Sequence, residues 1–375
     1  MVEVTETVTE QSKPLQEIKL SKGREANWPA VLLFIHIHLL SLYGVWLLLF
    51  EVKLMTIILL ITLILFAVLG VTTGAHRLWA HRSYKASTML RIALASLQTL
   101  AGQGSIYDWV QHHRLHHAHF GTDGDPYDYN KGFLYAHILT RLRKLSPYQE
   151  KLKDEIDMSD LESDQVVMFQ KKFYWVLYGV FFLLLPLNAP LEYWNDTVLS
   201  ALFVIGFLRY GAVLHASWLI ESGICVWGLK SSEKSDSNLV FLYAKTFWPH
   251  YHYLVPNDYK SGEYGTYGMG LMCLFIAFHS LCLNLSTVLR TMSCGHCSPQ
   301  TLWRLCFFFY DCGCSTAFIR VWAALGLASD LRTMETQAIQ TALSEAALTK
   351  RPLRACLDTA AVKQQLPDDH YLKRG

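Results

Sequence analysis

Charged residues are scarce in this sequence, and the scarcity argues against an ordinary soluble protein. Asp, Glu, Lys and Arg make up 17% of the 375 residues, against about 25% in an average soluble domain. The formal net charge is only +2, and there is no basic arm with interleaved aromatic residues, so we expect no nucleic-acid partner. The first residues also lack the cationic start and apolar core of a secretory signal. We predict a polar, mostly mobile, cytosolic tail over 1–28.

Hydrophobic residues make up 52% of the chain, and they collect in long runs. Two runs cover about 29–50 and 54–74, and two more cover about 173–187 and 198–220. An α-helix needs about 20 apolar residues to cross the hydrocarbon layer. We therefore predict an all-α membrane protein with four transmembrane helices in two hairpins. A shorter apolar run at 89–104 predicts a re-entrant or interfacial helix.

The distribution of lysine and arginine predicts the orientation. Lys22, Arg24 and the basic segment 141–172 would all lie on one side of the two hairpins. Under the positive-inside rule that side is the cytosol. We therefore expect both termini in the cytosol, together with a helical cap that carries the histidine groups described next.

Five histidines stand at metal-ligand spacings on either side of the short apolar run. His76 and His81 are five positions apart, and His113, His116 and His117 occupy the first, fourth and fifth positions of a helical turn. Side chains at these helical positions share one face. Neutral imidazole binds iron, copper, nickel and zinc well. The spacing predicts a metal site.

These histidine groups, on a four-span chain, resemble the membrane fatty acyl-CoA desaturases, the stearoyl-CoA desaturase family. The segments GAHRLWAHRSYKA, SIYDWVQHHRLHH, TDGDPYDYNKGF and PNDYKSGEYGTYG follow that family's patterns in the family's order. The resemblance covers about 28–268 and resumes near Ser315. It implies an enzyme of the endoplasmic reticulum membrane that inserts a cis double bond, at the delta-nine position, into a saturated fatty acyl-CoA.

The resemblance also implies the cofactor and the partners. The family uses two iron ions, molecular oxygen, and electrons from cytochrome b5 and its reductase. Removing hydrogen from an unactivated methylene is chemistry that the metal supplies. Carried over position by position, the iron ligands are His76, His81, His113, His116, His117 and His252.

Further positions match the family's bent acyl tunnel, namely Gln103, Trp109, Ser217 and Trp218. Ordinary helix packing is the alternative explanation for these four. Lys171 and Lys172 belong to a basic face that would hold the phosphates of coenzyme A or the acidic surface of an electron donor. Topology-setting charge beside lipid headgroups accounts for the two lysines equally well.

The family's third histidine group is altered in this chain. Where the family has H-N-Y-H-H, residues 249–253 read PHYHY, so only His252 keeps its place. After the fourth span the family carries Asn-x3-His, and here those positions are Glu221 and Cys225. Three histidine ligand positions are thus occupied by Pro249, Tyr253 and Cys225.

Two hypotheses follow from these changes. In one, the site is rebuilt with His250 and Glu221, and with Cys225 or His215, as replacement ligands, which is chemically possible because carboxylate and thiolate also bind transition metals. In the other, the chain is a catalytically impaired or inactive homologue that binds acyl-CoA or partner proteins in the membrane. A membrane hydroxylase is a third hypothesis, since its oxygen chemistry is close.

A Cys-rich insertion separates the last part of the chain from the rest. Seven of the nine cysteines fall in 269–314, where the family continues without interruption. We interpret this segment as an insertion with no native role; a zinc knuckle at CGHC is the alternative. A reducing cytosol predicts no structural disulfides. Residues 315–375 are expected to complete the cap and to end in a polar tail.

Overall fold

A computed structural model describes residues 23–227, 249–261 and 313–363 of the chain. Within these ranges four helices are long and apolar enough to cross a membrane. They are α1 (Trp28–Phe50), α2 (Leu54–Ala80), α8 (Tyr174–Trp194) and α9 (Ser200–Ser222). The predicted all-α fold with four spans is confirmed.

The other helices of the described residues lie outside the four spans. They are α3 (Thr88–Ala101), α4 (Ile106–Ala118), α5 (Pro147–Asp154), α6 (Ser159–Glu162), α7 (Gln165–Lys172), α10 (Ile224–Trp227), α11 (Pro249–Leu254), α12 (Gly313–Ala324), α13 (Thr336–Thr349) and α14 (Leu353–Lys363), with short helical turns at Tyr129–Lys131 and Tyr135–Leu139. Two short strands, β1 (Lys85–Ala86) and β2 (Ala328–Ser329), pair antiparallel. We call the helices α4–α7 and α10–α14 the cap.

Close helix crossings hold the spans together. A methyl group at Gly44 in α1 would lie 2.4 Å from the carbonyl oxygen of Phe203 in α9. A methyl group at Gly70 in α2 would lie 2.4 Å from the backbone nitrogen of Gln98 in α3. Only glycine permits these approaches, because any larger residue would overlap with backbone atoms. The crossing of α2 and α3 fixes the direction of the last part of α2, which carries His76.

The two hairpin connectors meet at the end of the spans remote from the cap. The Nζ atom of Lys53 donates to the carbonyl oxygens of Trp194, at 2.7 Å, and Asn195, at 2.8 Å. The segment NAPLEYWND, residues 188–196, lies between the third and fourth predicted apolar runs and is largely helical, since α8 continues to Trp194. Proline's fixed φ is compatible with a helix, and the helix ends only at Asn195, whose φ is +49°.

The last residues of the predicted N-terminal tail are not mobile. Ala26 pairs with Arg143 in an isolated antiparallel bridge, and the backbone nitrogen of Asn27 donates to the carbonyl oxygen of Leu142 at 2.8 Å. Ala26 and Asn27 are thus held in place, and residues 1–22 of the tail predicted to be mostly mobile lie outside the described residues. These backbone hydrogen bonds hold the start of α1 against the basic segment of the cap.

The C-terminal part of the described chain packs against the segment that carries His76 and His81. The backbone nitrogen of Arg332 donates to Ser83 at 2.9 Å, next to the pairing of β1 with β2. The guanidinium of Arg77 donates to Tyr259 O at 2.9 Å and to Thr316 Oγ1 at 3.1 Å. One buried arginine thus joins both sides of the predicted insertion, which itself lies outside the described residues except for 313–314.

Candidate metal centre

Four imidazoles from three separate segments converge in the cap. Each of His76, His81, His113 and His252 offers one ring nitrogen, and the four atoms lie within 4.8 Å of one another. All four side chains are buried. His117 joins them, because its Nε2 atom is 3.0 Å from Nε2 of His252. We call these five residues the histidine cluster.

Local structure explains why the histidines face inward. The last part of α2, Gly70–Ala80, is a fully buried π-helix that carries His76, and wide turns of this kind occur often at functional sites. Ser105 caps α4 by accepting from the backbone nitrogen of Asp108, which fixes where α4 begins and so which face presents His113 and His117. The Nε2 atoms of His81 and His113 consequently lie 2.9 Å apart.

Burial keeps the cluster imidazoles neutral. Removal from water, and then repulsion by neighbouring imidazoles, hold the pKa of His81, His117 and His252 well below the usual value. Burial also lowers the pKa of His113. A neutral imidazole has a free lone pair for a metal, so protons compete weakly for these ligand atoms.

The remaining histidine of the first two groups, His116, is bonded differently. Its Nδ1 atom lies 2.8 Å from Oδ1 of Asp125, and its Nε2 atom lies 3.1 Å from the hydroxyl of Tyr253. Tyr253 stacks on Phe120 with ring centroids 3.9 Å apart. Burial, then Asp125 and Glu221, raise the pKa of Tyr253 well above its usual value. A neutral phenol therefore occupies the place of the family's histidine.

Two of the replacement ligands expected from the sequence, Cys225 and His215, are engaged by groups outside the histidine cluster. The sulfur of Cys225 lies 3.8 Å from the carbonyl oxygen of Tyr129, and burial raises the pKa of this thiol to about 11. His215 contacts His38 and His137, at 2.8 and 2.9 Å between ring nitrogens. The side chain of His250 lies outside the described part of the structure.

Glu221 is buried beside the cluster, and its two carboxylate oxygens have different neighbours. Oε1 lies 3.5 Å from Nδ1 of His113, and Oε2 accepts a hydrogen bond from Arg141 Nη2 at 2.8 Å. Arg141 also donates to the hydroxyl of Tyr127 at 2.8 Å and lies over that ring. The negative charge of Glu221 is therefore paired within the protein.

A cavity of about 910 Å³ adjoins the centre. Its lining includes Trp109, whose ring stacks on His113 with centroids 4.9 Å apart, and Trp218. Arg143 and Lys144 also line it, and both are exposed. The exposed part of the lining carries both signs of charge, since Glu25 and Glu150 lie there with Arg143 and Lys144. The inner wall reaches the histidine cluster at Trp109.

The expected substrate-binding residues divide into two sets. Gln103, Trp109 and Trp218 line the cavity. Ser217 is buried, and its hydroxyl has no hydrogen-bond partner within the described ranges. Lys171 and Lys172 are exposed and do not line the cavity; the ammonium of Lys171 instead lies 3.3 Å from the centroid of the Tyr107 ring.

Sequence reasoning missed the residues that support the ligands. Asp125 contacts His116, and Ser261 Oγ lies 3.2 Å from Nδ1 of His252. Such outer partners fix the orientation of metal-binding imidazoles. Asp125 lies in the TDGDP segment quoted above, but the sequence did not indicate that it contacts His116. Arg141 was noted only as part of a basic segment.

The fold and the site define a class: a multi-pass membrane protein with a buried cluster of histidines, at metal-ligand spacing, next to a large cavity. No family model matches the chain. An acyl-CoA delta-9 desaturase of Acheta domesticus is 40% identical over 260 residues, which cover 68% of this chain and 72% of that protein. An acyl-CoA delta-12 desaturase of Tribolium castaneum is 35% identical over 281 residues, 73% of this chain and 78% of that protein.

A third relative, the Delta(9)-fatty-acid desaturase fat-7 of Caenorhabditis elegans, is 35% identical over 262 residues, 68% of this chain and 76% of that protein. The chain belongs to the membrane acyl-CoA desaturase family. The resemblance found in the sequence is therefore confirmed.

Proposed function

We propose that the chain is an iron-dependent acyl-CoA desaturase that inserts a cis double bond into a saturated fatty acyl-CoA. The observation that carries the proposal is the histidine cluster, where His81 and His113 Nε2 atoms lie 2.9 Å apart beside the cavity. An all-imidazole, neutral ligand set suits iron among the first-row metals. Bound iron would supply the oxidising power that no side chain has.

The cavity supports acyl-CoA as the substrate. Coenzyme A is polyanionic, and the exposed side chains of Arg143 and Lys144 lie on the lining, so both would attract its phosphates. The acyl chain would follow the apolar wall past Trp109 and Trp218. This path brings a methylene close to the histidine cluster and excludes water around it.

The finer expectations belong to the same proposal. We expect oxidation at the delta-nine position, with molecular oxygen as oxidant and electrons from cytochrome b5 and its reductase. We place the protein in the endoplasmic reticulum membrane with both termini in the cytosol. Two of the relatives are named delta-9 desaturases, which favours this position, whereas the relative from Tribolium castaneum is named for delta-12.

The family binds two iron ions, and the side chains of this chain suit one of the two positions better than the other. His76, His81, His113, His117 and His252 suit one ion, since their ligand nitrogens face a common space. The second position does not fit: His116 is bonded to Tyr253, and the thiol of Cys225 lies against a carbonyl oxygen. We derive no reaction step from a second ion.

This mismatch favours a second candidate function, a catalytically impaired or inactive homologue that binds acyl-CoA at the membrane. The specific observation is Tyr253, a neutral phenol at 3.1 Å from the ring nitrogen that a second ion would need. Such a protein would keep the cavity and the histidine cluster but would desaturate poorly.

One pair of measurements separates the two candidates. Iron is counted per purified full-length chain, and lipids are analysed after expression in desaturase-deficient cells. About two irons with new unsaturated chains supports the desaturase; one iron or none, without product, supports the impaired homologue. As a matched test, the double variant Tyr253→His/Cys225→His restores two of the three altered family histidines and leaves Pro249 in place. An impaired homologue should gain iron and product from this change, whereas an active enzyme should not.

A further inference from the structure

We propose that Glu221 is a positioning residue that orients His113 from outside the metal centre, and is not a metal ligand. The inference rests on the proposed metal centre and deepens it. The inference assigns a role to Glu221, which occupies the position of the family's asparagine. The argument uses the two edges of the His113 ring and the two oxygens of the Glu221 carboxylate.

The two nitrogens of His113 face different surroundings. Nε2 faces the histidine cluster, 2.9 Å from Nε2 of His81. Nδ1 is buried and has no hydrogen-bond partner at ordinary distance within the described residues. If Nε2 offers its lone pair to a metal, Nδ1 must carry the hydrogen. A buried N–H without an acceptor is costly, so this edge of the ring requires one.

Glu221 is the acceptor that the structure offers at this edge. Its Oε1 atom lies 3.5 Å from Nδ1, and both side chains are almost fully buried. The distance is about 0.6–0.8 Å longer than a charge-assisted hydrogen bond. A cation on Nε2 would polarise the ring, make the Nδ1 hydrogen more acidic and shorten this contact.

The second oxygen of Glu221 is engaged elsewhere. Oε2 accepts from Arg141 at 2.8 Å, and Arg141 is held in turn by the Tyr127 hydroxyl and by the rings of Tyr127 and Trp218. Both carboxylate oxygens are therefore engaged away from the Nε2 atom of His113, which is where the metal would lie. The carboxylate lies behind the imidazole, and the arginine lies behind the carboxylate.

A polar side chain also contacts the outer nitrogen of two other histidines, His252 in the cluster and His116 beside it. Asp125 contacts Nδ1 of His116 at 2.8 Å, and Ser261 contacts Nδ1 of His252 at 3.2 Å. A carboxylate behind a ligating imidazole fixes its tautomer and raises its basicity. Glu221 completes this pattern for His113. The substitution of asparagine by glutamate in this chain thus strengthens a retained ligand and does not replace a lost one.

The test titrates the full-length, chelator-stripped protein in detergent with Co²⁺ and records the visible absorption. In Glu221→Ala we expect the dissociation constant for cobalt to rise about 10- to 100-fold, with the same stoichiometry and the same saturated spectrum. Glu221→Gln should recover most of the affinity, since its amide oxygen still accepts from Nδ1–H. Glu192→Ala, an exposed glutamate near the end of α8, is the matched control and should bind as the wild type does.

In Glu221→Ala the guanidinium of Arg141 loses its buried carboxylate partner, which could itself disturb the fold. A double variant controls for this effect. Glu221→Ala/Arg141→Ala removes both charges and should still bind cobalt about 10- to 100-fold more weakly than wild type. A changed saturated spectrum or a lower stoichiometry in Glu221→Ala would make Glu221 a ligand and overturn the inference. Wild-type affinity in the double variant would overturn it as well. Absence of cobalt binding by the wild type would overturn the metal centre itself, whereas absence of lipid product alone would affect only the desaturase proposal.

Discussion

Asp160 in α6 forms a bidentate ion pair with Arg114 in α4, at 2.7 and 2.8 Å between nitrogens and oxygens. The same carboxylate accepts from Nε of Arg82 at 2.8 Å. Arg82 follows His81, and Arg114 follows His113. One carboxylate of the cap therefore ties together the two segments that carry most of the histidine cluster.

The first prediction concerns Asp160→Asn. The neutral amide cannot offset the positive charge of two guanidinium groups. We therefore expect the free energy of unfolding of the variant to be lower by about 1–3 kcal/mol at neutral pH. The measurement is thermal unfolding of the detergent-solubilised protein. The matched control is Asp154→Asn, an exposed carboxylate at the end of α5, which should unfold like the wild type.

The pH dependence of this stabilisation has a definite sign. Burial alone would raise the pKa of Asp160, but the hydrogen bond and charge of Arg114, then those of Arg82, lower it below the usual value. A carboxyl with a lowered pKa in the folded state stabilises the fold above its unfolded-state pKa and ceases to do so as pH falls through the folded value. The difference between wild type and variant should thus be constant above about pH 5 and vanish in stronger acid. A difference that grows on acidification would contradict the assignment.

The second prediction concerns the crossing of α2 and α3. In Gly70→Ala the new methyl group would overlap with backbone atoms of Leu97 and Gln98 at 2.4 Å, so the helices must separate. We expect a loss of about 1–3 kcal/mol in stability, measured by thermal unfolding and by the yield of monodisperse protein. Gly179→Ala is the control, because a methyl group there meets no atom within 4 Å. Equal behaviour of the two variants would show that the crossing is not tight.

The third prediction compares two pairs of basic residues. Arg143 and Lys144 line the cavity, whereas Lys171 and Lys172 do not. Reversing the first pair to glutamate should weaken acyl-CoA binding about tenfold, equal to about 1.4 kcal/mol, with a smaller effect at high salt because the attraction is screened. Reversing the second pair should leave binding unchanged. Calorimetric titration with a saturated acyl-CoA measures both, and the opposite ranking would place the coenzyme at α7.

Some of the site could be predicted from sequence because helical spacing is local. The positions of His113, His116 and His117 within one helix fix a shared face before any tertiary contact is known. Apolar run lengths likewise predicted the four spans. The end of α8 was harder to predict, because Pro186 and Pro190 lie inside this helix, where proline removes a backbone hydrogen bond and usually kinks or ends a helix.

The partners of the altered positions could not be predicted, because they depend on contacts between distant segments. Glu221 and Arg141 are 80 positions apart, and His116 and Tyr253 are 137 apart. From sequence, Glu221 could have been a ligand, a partner of a ligand or a partner of an arginine. Spacing carries no information on which oxygen faces which neighbour.

The central claim is that the histidine cluster binds a metal ion, and the iron content of the purified full-length protein tests it most directly. The wild type and His36→Ala, a control at an exposed histidine of α1, should retain at least one iron per chain. Because His252 contacts both His76 and His117, His252→Ala should lower the retained iron about tenfold or more. Equal iron content in the three proteins, or none in the wild type, would contradict the account.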